Sequence, residues 1–230
     1  FDITRAELVK RILSPGKPDE LRTKWMEFLG ESLILPARKI EKAVHDISPD
    51  TKIGLMCAGA DDLSIEGRKW YSFLESLCGK NGIIVRPPGG CYRNTEIFDI
   101  YGSLDLTTKV VSCLPSSARL CAEIECSTFT EFVKSRGFVR LQTACMAMAG
   151  QLDITFNLYD HAGTPLKPDD KFGLMLRDVK PILNGLTEKR LAGGKDKGIG
   201  LVFCPDIGSY VHTRDGVKFT ELYANASGWS

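Results

Sequence analysis

The pattern that most constrains this chain is an alternation of short apolar runs with longer amphipathic stretches between residues 52 and 190. Short apolar runs bounded by turn residues are typical of strands buried on both faces, whereas apolar residues at spacings of three and four predict helices. The predicted strands span residues 52–58, 82–86, 119–125 and 153–159, and the helices that follow them span residues 64–78, 96–113, 133–150 and 172–190. Four consecutive strand–helix units predict an α/β fold with a parallel sheet covered by helices.

Further segments are predicted on both sides of these four units. Thr4 and Glu7 form a capping-box pattern that begins a helix over residues 5–14, and apolar spacings predict a second helix over residues 19–47. Residues 193–198 resemble a linker, and the apolar run 199–205 predicts a strand. We therefore expect a first domain over residues 1–192 and the beginning of a second α/β domain over residues 199–230.

The residues that end the predicted strands favour a closed barrel over an open doubly wound sheet. Polar or glycine-rich residues follow each strand, at positions 59–62, 86–90, 125 and 157–160. In a TIM, or (β/α)8, barrel such strand ends converge on one mouth, where active sites lie. No G-x-G-x-x-G or P-loop motif follows any strand, which argues against a nucleotide-binding open sheet. The sequence thus predicts part of a TIM barrel.

Two glutamates near the end of the predicted strand 119–125 are the main candidates for catalysis. Side chains alternate along a strand, so Glu123 and Glu125 face one side and Ile124 faces the other. Two acids on one face are costly in a packed core but suit a polar barrel mouth. Glycosidases use two carboxylates that flank the scissile bond. Glu125 is nearer the end of the strand and is the predicted nucleophile, with Glu123 as a supporting acid held by an Arg or Lys; both could instead be structural ion-pair partners.

The loops after two other strands supply candidate substrate contacts. Arg86 ends the second predicted strand, where it could orient a catalytic carboxylate or form a salt bridge at the barrel rim. Tyr92 and Arg93 follow in the same loop and could donate hydrogen bonds to sugar hydroxyls. Asn157 and Asp160 close the last predicted strand and could line the same mouth.

Other side chains with chemical potential have structural explanations in the sequence. Lys134 follows the Glu125 loop and could contact a sugar, although a charge at a helix N-terminus is slightly favoured. Trp25 and Trp70 lie on apolar helix faces and are expected in the core. The eight cysteines form no C-x-x-C pair and have no zinc-ligand spacing, so we expect reduced thiols, which favour a cytoplasmic protein.

Charge and hydropathy exclude several classes of partner. Thirty basic and twenty-nine acidic residues give a net charge of +1, which predicts no binding to nucleic acid. No apolar run approaches the roughly 18 residues that a membrane-spanning helix needs. We expect no metal or organic cofactor. The chain does not begin with Met, and the pattern at residues 1–4 resembles the entry to a helix, so we expect a piece of a longer polypeptide.

The segment from Ala122 to Asp160 carries a resemblance to a known family. This segment resembles the last two strand–helix units of clan-A barrel glycosidases. The residues that carry the resemblance are Ala122-Glu123-Ile124-Glu125, then Lys134-Ser135 and a helix, and then residues 153–160. The segment is most similar to proteins related to the family-42 beta-galactosidases, and the resemblance covers roughly residues 1–190 in element order. It implies that Glu125 is the nucleophile at the end of the seventh barrel strand and that the four units are strands five to eight. The amidotransferase-like domain that follows the barrel there fits the predicted strand 199–205.

The same resemblance implies an incomplete catalytic centre. The family's acid/base residue lies in an Asn-Glu pair after the fourth strand, and no Asn-Glu pair occurs in this chain. The expected activity is retaining hydrolysis of β-linked sugars such as β-galactosides; the alternatives are a non-catalytic carbohydrate-binding or assembly module and, with less support, a barrel lyase or isomerase. A half-barrel has two open sheet edges, so a homo-oligomer is a further expectation.

Overall fold

The chain folds as an α/β protein with a four-stranded parallel sheet, as predicted. This computed structural model describes residues 2–94, 99–126, 133–151, 153–159, 170–191, 198–200 and 202–222. The strands are β1 (Gly54–Met56), β2 (Ile84–Arg86), β3 (Arg119–Glu125) and β4 (Asp153–Asn157). Their order in the sheet is β1-β2-β3-β4, so each strand lies beside its neighbour in sequence. This order is the one expected when successive strand–helix units wind in one direction.

Seven α-helices accompany the sheet in the described part of the chain. They are α1 (Arg5–Ile12), α2 (Glu20–Ile47), α3 (Ala60–Leu63), α4 (Trp70–Cys78), α5 (Asp99–Ser112), α6 (Arg136–Met148) and α7 (Lys171–Leu191). Side-chain caps define three of their starts. Thr4 accepts a hydrogen bond from the Glu7 amide, Asp19 from the Leu21 amide and Ser135 from the Phe138 amide, because the first amides of a helix lack partners within it.

The helix predicted over residues 64–78 is broken at Gly67. Residues Ser64–Glu66 form one turn of 3-10 helix, Gly67 has a left-handed backbone with φ of 60°, and α4 begins only at Trp70. A Cβ atom on Gly67 would lie 1.9 Å from the main-chain oxygen of Met26. The break is therefore required by close contact with a distant segment, which the local apolar pattern does not reveal.

The chain divides into two compact units, and each has its own core. The first comprises residues 1–84, 109–118 and 200–230, and the second comprises residues 85–108 and 119–199. In the first unit Ile12, Leu13 and Met26 pack with Leu222. In the second unit, α6 and α7 cover one face of β3 and β4, and the core residues there include Ile124, Val139, Phe172, Met175 and Val179. Trp70 is buried, as predicted for a core residue.

The prediction of a strand over residues 199–205 is wrong for those of its residues that the structure describes. Residues 198–200 and 202–222 contain no strand longer than an isolated bridge, but have 3-10 turns at Ile207–Ser209 and Phe219–Leu222. Ile199 and Val202 are 94% and 93% exposed, so this apolar run does not enter a core. The division into domains at residues 193–198 stays a prediction. Among the described residues, none of the helices combines the length and apolar character needed to cross a membrane.

Candidate active site

The second unit presents one polar face of the sheet, formed by alternate residues of β3 and β4. The two strands pair in parallel register, with Glu123 opposite Thr155, Ile124 opposite Phe156 and Glu125 opposite Asn157. Ile124 is fully buried against α6 and α7, whereas both glutamates are half-buried on the opposite face. The prediction that Glu123 and Glu125 share a face is confirmed, because both lie on the side of the strand opposite to Ile124, which packs against α6 and α7.

Glu123 is held at both of its carboxylate oxygens. Arg86, the last residue of β2, forms an ion pair from Nη1 to Oε1. The main-chain amide of Gly89 donates to Oε2 at 3.0 Å. The Glu123 side chain is only 12% exposed, so these partners replace the water that a buried carboxylate loses. Arg86 does orient a carboxylate, as the sequence suggested, and that carboxylate belongs to Glu123.

Glu125 is held more loosely than Glu123. Its Oε1 accepts one hydrogen bond from Asn157 Nδ2 at 3.0 Å, and within the described residues its Oε2 accepts none. Its main-chain oxygen accepts a hydrogen bond from Lys134 Nζ at 2.7 Å, which fixes the end of β3. The Glu125 carboxylate is thus oriented at one oxygen and open at the other.

Lys134 lies directly before α6, as expected for a charge at a helix N-terminus, but it is buried and bonded within the protein. Its side chain is 2% exposed, and Nζ also donates to Gln142 Oε1 at 2.7 Å. Gln142 in turn donates to the main-chain oxygen of Gly90 at 3.3 Å. Burial lowers the pKa of Lys134, and the negative charges of nearby acidic groups oppose that shift. Lys134 therefore connects the end of β3 to the loop that follows β2.

This loop, residues 87–94, is fixed at several points of its main chain. Thr107 of α5 donates to the oxygen of Pro88 at 3.0 Å, and Ser103 of the same helix donates to the oxygen of Gly89. A Cβ atom on Gly89 would lie 2.0 Å from the oxygen of Glu123, so only glycine fits. Cys91 has a left-handed backbone with φ of 57°, which is strained for a residue with a side chain.

Of the predicted loop residues, Tyr92 lies near the glutamates and Arg93 does not contact them. Burial raises the pKa of Tyr92, the negative charges of Glu123 and Glu125 raise it further, and Arg86 opposes them. Arg93 is exposed and makes no hydrogen bond or ion pair to the residues that the structure describes. Its prediction as a sugar contact has no support in the geometry.

The structure therefore brings five predicted site residues together and leaves two outside. Those brought together are Arg86, Tyr92, Glu123, Glu125 and Asn157. Arg93 is exposed and has no hydrogen bond or ion pair with this group, and Asp160 lies outside the described residues. The sequence missed the supporting contacts of Gly89 and Gln142. The Pro87-Pro88-Gly89-Gly90 run was the only sequence signal for the contact of Gly89, and no local signal marks that of Gln142.

Chemically, the site offers one carboxylate bonded at both oxygens beside one that, among the described residues, accepts a bond at a single oxygen. In the described part of the chain, no three His, Cys, Asp or Glu side chains cluster as a metal site would require. No family model matches the chain, and no curated protein or solved structure is significantly similar to it. Any function must therefore be argued from the residues themselves.

Proposed function

We propose that this chain carries the nucleophile of a retaining glycoside hydrolase that acts on β-linked sugars, such as β-galactosides. In this proposal β1 to β4 are strands five to eight of a TIM barrel, and the polar face of β3 and β4 turns toward the barrel interior. The sequential strand order and the helical cover on the opposite face support that arrangement. Glu125 is the nucleophile, Glu123 is a positioning residue, and the general acid is not assigned.

The observation that carries the proposal is the difference between the two glutamates. A carboxylate whose two oxygens already accept hydrogen bonds from an arginine and a backbone amide has few lone pairs left for attack. Glu125 accepts a single hydrogen bond from Asn157 among the described residues and ends the strand. It is therefore the carboxylate that can approach an anomeric carbon.

The reaction then follows from the position of Glu125. Its free oxygen attacks the anomeric carbon, the bond from that carbon to the leaving oxygen breaks, and the leaving oxygen takes a proton from the general acid. Water later attacks the same carbon and loses a proton to the residue that served as the general acid. This step breaks the bond to Glu125 and releases it as a carboxylate. In this proposal Asn157 holds one oxygen of the attacking carboxylate, and the Tyr92 hydroxyl contacts the sugar.

The decisive experiment uses the complete protein and an activated aryl β-galactoside. We expect Glu125→Gln to lower kcat by about 1,000-fold or more, because the amide cannot form the glycosyl-enzyme. Glu31→Gln, an exposed glutamate on α2, is the matched control and should leave kcat unchanged. Unchanged turnover in Glu125→Gln refutes the assignment.

A covalent trap distinguishes Glu125 from Glu123 directly. A 2-deoxy-2-fluoro-β-galactoside with a good leaving group slows the second step, so the sugar remains attached to the nucleophile. Mass spectrometry of the digested protein should place the adduct on Glu125. An adduct on Glu123 would reassign the nucleophile while retaining the reaction class.

A non-catalytic carbohydrate-binding module is the second candidate. The ion pair between Arg86 and Glu123 favours it, because such a pair stabilises a sheet without any chemistry. In that case galactosides would bind to the complete protein, but neither turnover nor a covalent adduct would be detected.

A further inference from the structure

A cavity of about 400 Å³ lies in the first unit, and none of its lining residues belongs to the proposed active site. Its apolar wall includes Met26 of α2, Trp70 at the start of α4, Pro205 and Tyr210. Arg68 contributes to the same wall. Cavities of this size and mixed lining are typical of sites for small molecules.

Arg68 and Trp70 bring unpartnered hydrogen-bond donors to this cavity. The Arg68 side chain is 10% exposed, and its Nη2 donates to Glu66 Oε2 at 2.7 Å. Arg68 Nε and Nη1, together with Trp70 Nε1, are buried and have no acceptor among the described residues. Buried donors are nearly always satisfied in folded proteins, so three without acceptors in one wall indicate a missing partner.

The main chain before Arg68 is fixed in place. Gly67 lines the cavity in its left-handed conformation, and its close contact with the Met26 oxygen excludes any side chain there. The Arg68 guanidinium lies 4.6 Å from the centroid of the Phe73 ring and 5.5 Å from that of Trp70. These ring contacts restrain the planar guanidinium beside the cavity in the free protein.

We propose that this cavity binds a small monocarboxylate with an apolar body, whose carboxylate accepts hydrogen bonds from Arg68 and Trp70. The fork of a guanidinium matches the two oxygens of a carboxylate. The cavity is lined by two cations, Arg68 and Lys69, and by two carboxylates, Glu27 and Asp206, so its charge is balanced and a single negative charge is better accommodated than that of a dianion such as phosphate. The donor atoms are covered by neighbouring atoms, so the guanidinium must turn toward the cavity on binding. This site is independent of Glu125 and of the proposed hydrolysis.

The test observes the Trp70 indole directly in the full chain. The sequence contains three tryptophans, so a ¹⁵N-labelled protein gives three indole N–H resonances, and Trp70→Phe identifies the relevant one. We expect benzoate to shift the Trp70 resonance saturably with a Kd in the low millimolar range or below. Benzyl alcohol, which has the same ring without the carboxylate, and inorganic phosphate should produce no saturable shift.

Variants of Arg68 decide whether the carboxylate is recognised by the guanidinium. Arg68→Gln should weaken benzoate binding at least tenfold, whereas Arg5→Gln, an exposed arginine in α1, should leave the Kd unchanged. If Arg68→Gln does not fold, Arg68→Lys keeps the charge without the fork and should still weaken binding severalfold. The proposal is overturned by a missing benzoate shift, by an equal shift with benzyl alcohol, or by a Kd that both Arg68 variants leave unchanged.

Discussion

Replacing Gly89 by alanine would place a methyl group against the main chain of β3. The Cβ atom would lie 2.0 Å from the oxygen, 2.9 Å from the carbonyl carbon and 3.0 Å from the Cβ of Glu123. Two of these three atoms belong to the backbone of a strand paired with β4, so they cannot rotate away as a flexible side chain would. The loop must therefore retreat by about 1.4 Å to reach ordinary contact.

The cost of this retreat combines two terms. Overpacking a rigid region costs about 1–3 kcal/mol. The shift also lengthens the 3.0 Å hydrogen bond from the Gly89 amide to Glu123, and bonds to a charged group contribute about 1.5–3 kcal/mol. The movement that relieves the clash also lengthens the hydrogen bond, so the two costs do not add in full. We expect the free energy of unfolding to fall by about 2–4 kcal/mol.

Urea unfolding followed by far-ultraviolet circular dichroism measures this loss. Gly102→Ala is the matched control, because Gly102 lies inside α5 and its added Cβ would meet no atom within 4 Å. That control should gain about 0.5–1 kcal/mol, as alanine restricts the unfolded chain more than glycine does. The reasoning fails if Gly89→Ala matches the wild type to within about 0.5 kcal/mol, or if Gly102→Ala loses as much as Gly89→Ala.

Three further perturbations test other contacts. Lys134→Met removes the donor of two buried oxygen acceptors and should lower the free energy of unfolding in urea by about 1–3 kcal/mol; an unchanged value would show that the bonds contribute nothing net. Burial and a hydrogen bond to Asp170 raise the pKa of Tyr159 to about 12. The resulting stabilisation is present below the unfolded pKa near 10 and is lost as pH rises toward 12. Tyr159→Phe should therefore leave the tyrosinate absorbance of the folded chain at pH 10.5 unchanged to within about a tenth of one tyrosine. A hydrogen bond to Glu41 raises the pKa of His45. Glu41→Gln should return it toward about 6.5 in an NMR titration, and the stability difference between the two proteins should shrink as pH rises through the folded pKa.

The strand that carries the glutamates was predictable because its determinants are local. Residues 119–125 have the length of a strand, polarity alternates over residues 122–125, and β3 has the predicted bounds. Alternation alone placed Glu123 and Glu125 on one face. Which glutamate Arg86 would hold was not predictable, because that depends on how β2 and its loop meet β3.

The incorrect predictions arose where distant segments decide the local structure. The break at Gly67 depends on the Met26 oxygen, 41 positions earlier in the chain, which no window over residues 64–78 contains. The apolar run 199–205 has the composition of a strand, but in the described residues it pairs with none. The position of Lys134 before a helix was foreseen, but its burial was not, because its partners Gln142 and the end of β3 come from other parts of the fold.

The attachment of the loop 87–94 to α5 has a consequence for how the site can vary. The hydroxyl groups of Ser103 and Thr107 bond to the main chain of this loop and so position the Gly89 amide that donates to Glu123. Both residues lie on α5, which contributes no charged side chain to the site. The geometry of the carboxylates is therefore encoded partly in side chains that no substrate would touch. A survey of substitutions restricted to the polar face would overlook these two positions, and a graft of the site onto another scaffold would have to carry α5 with it.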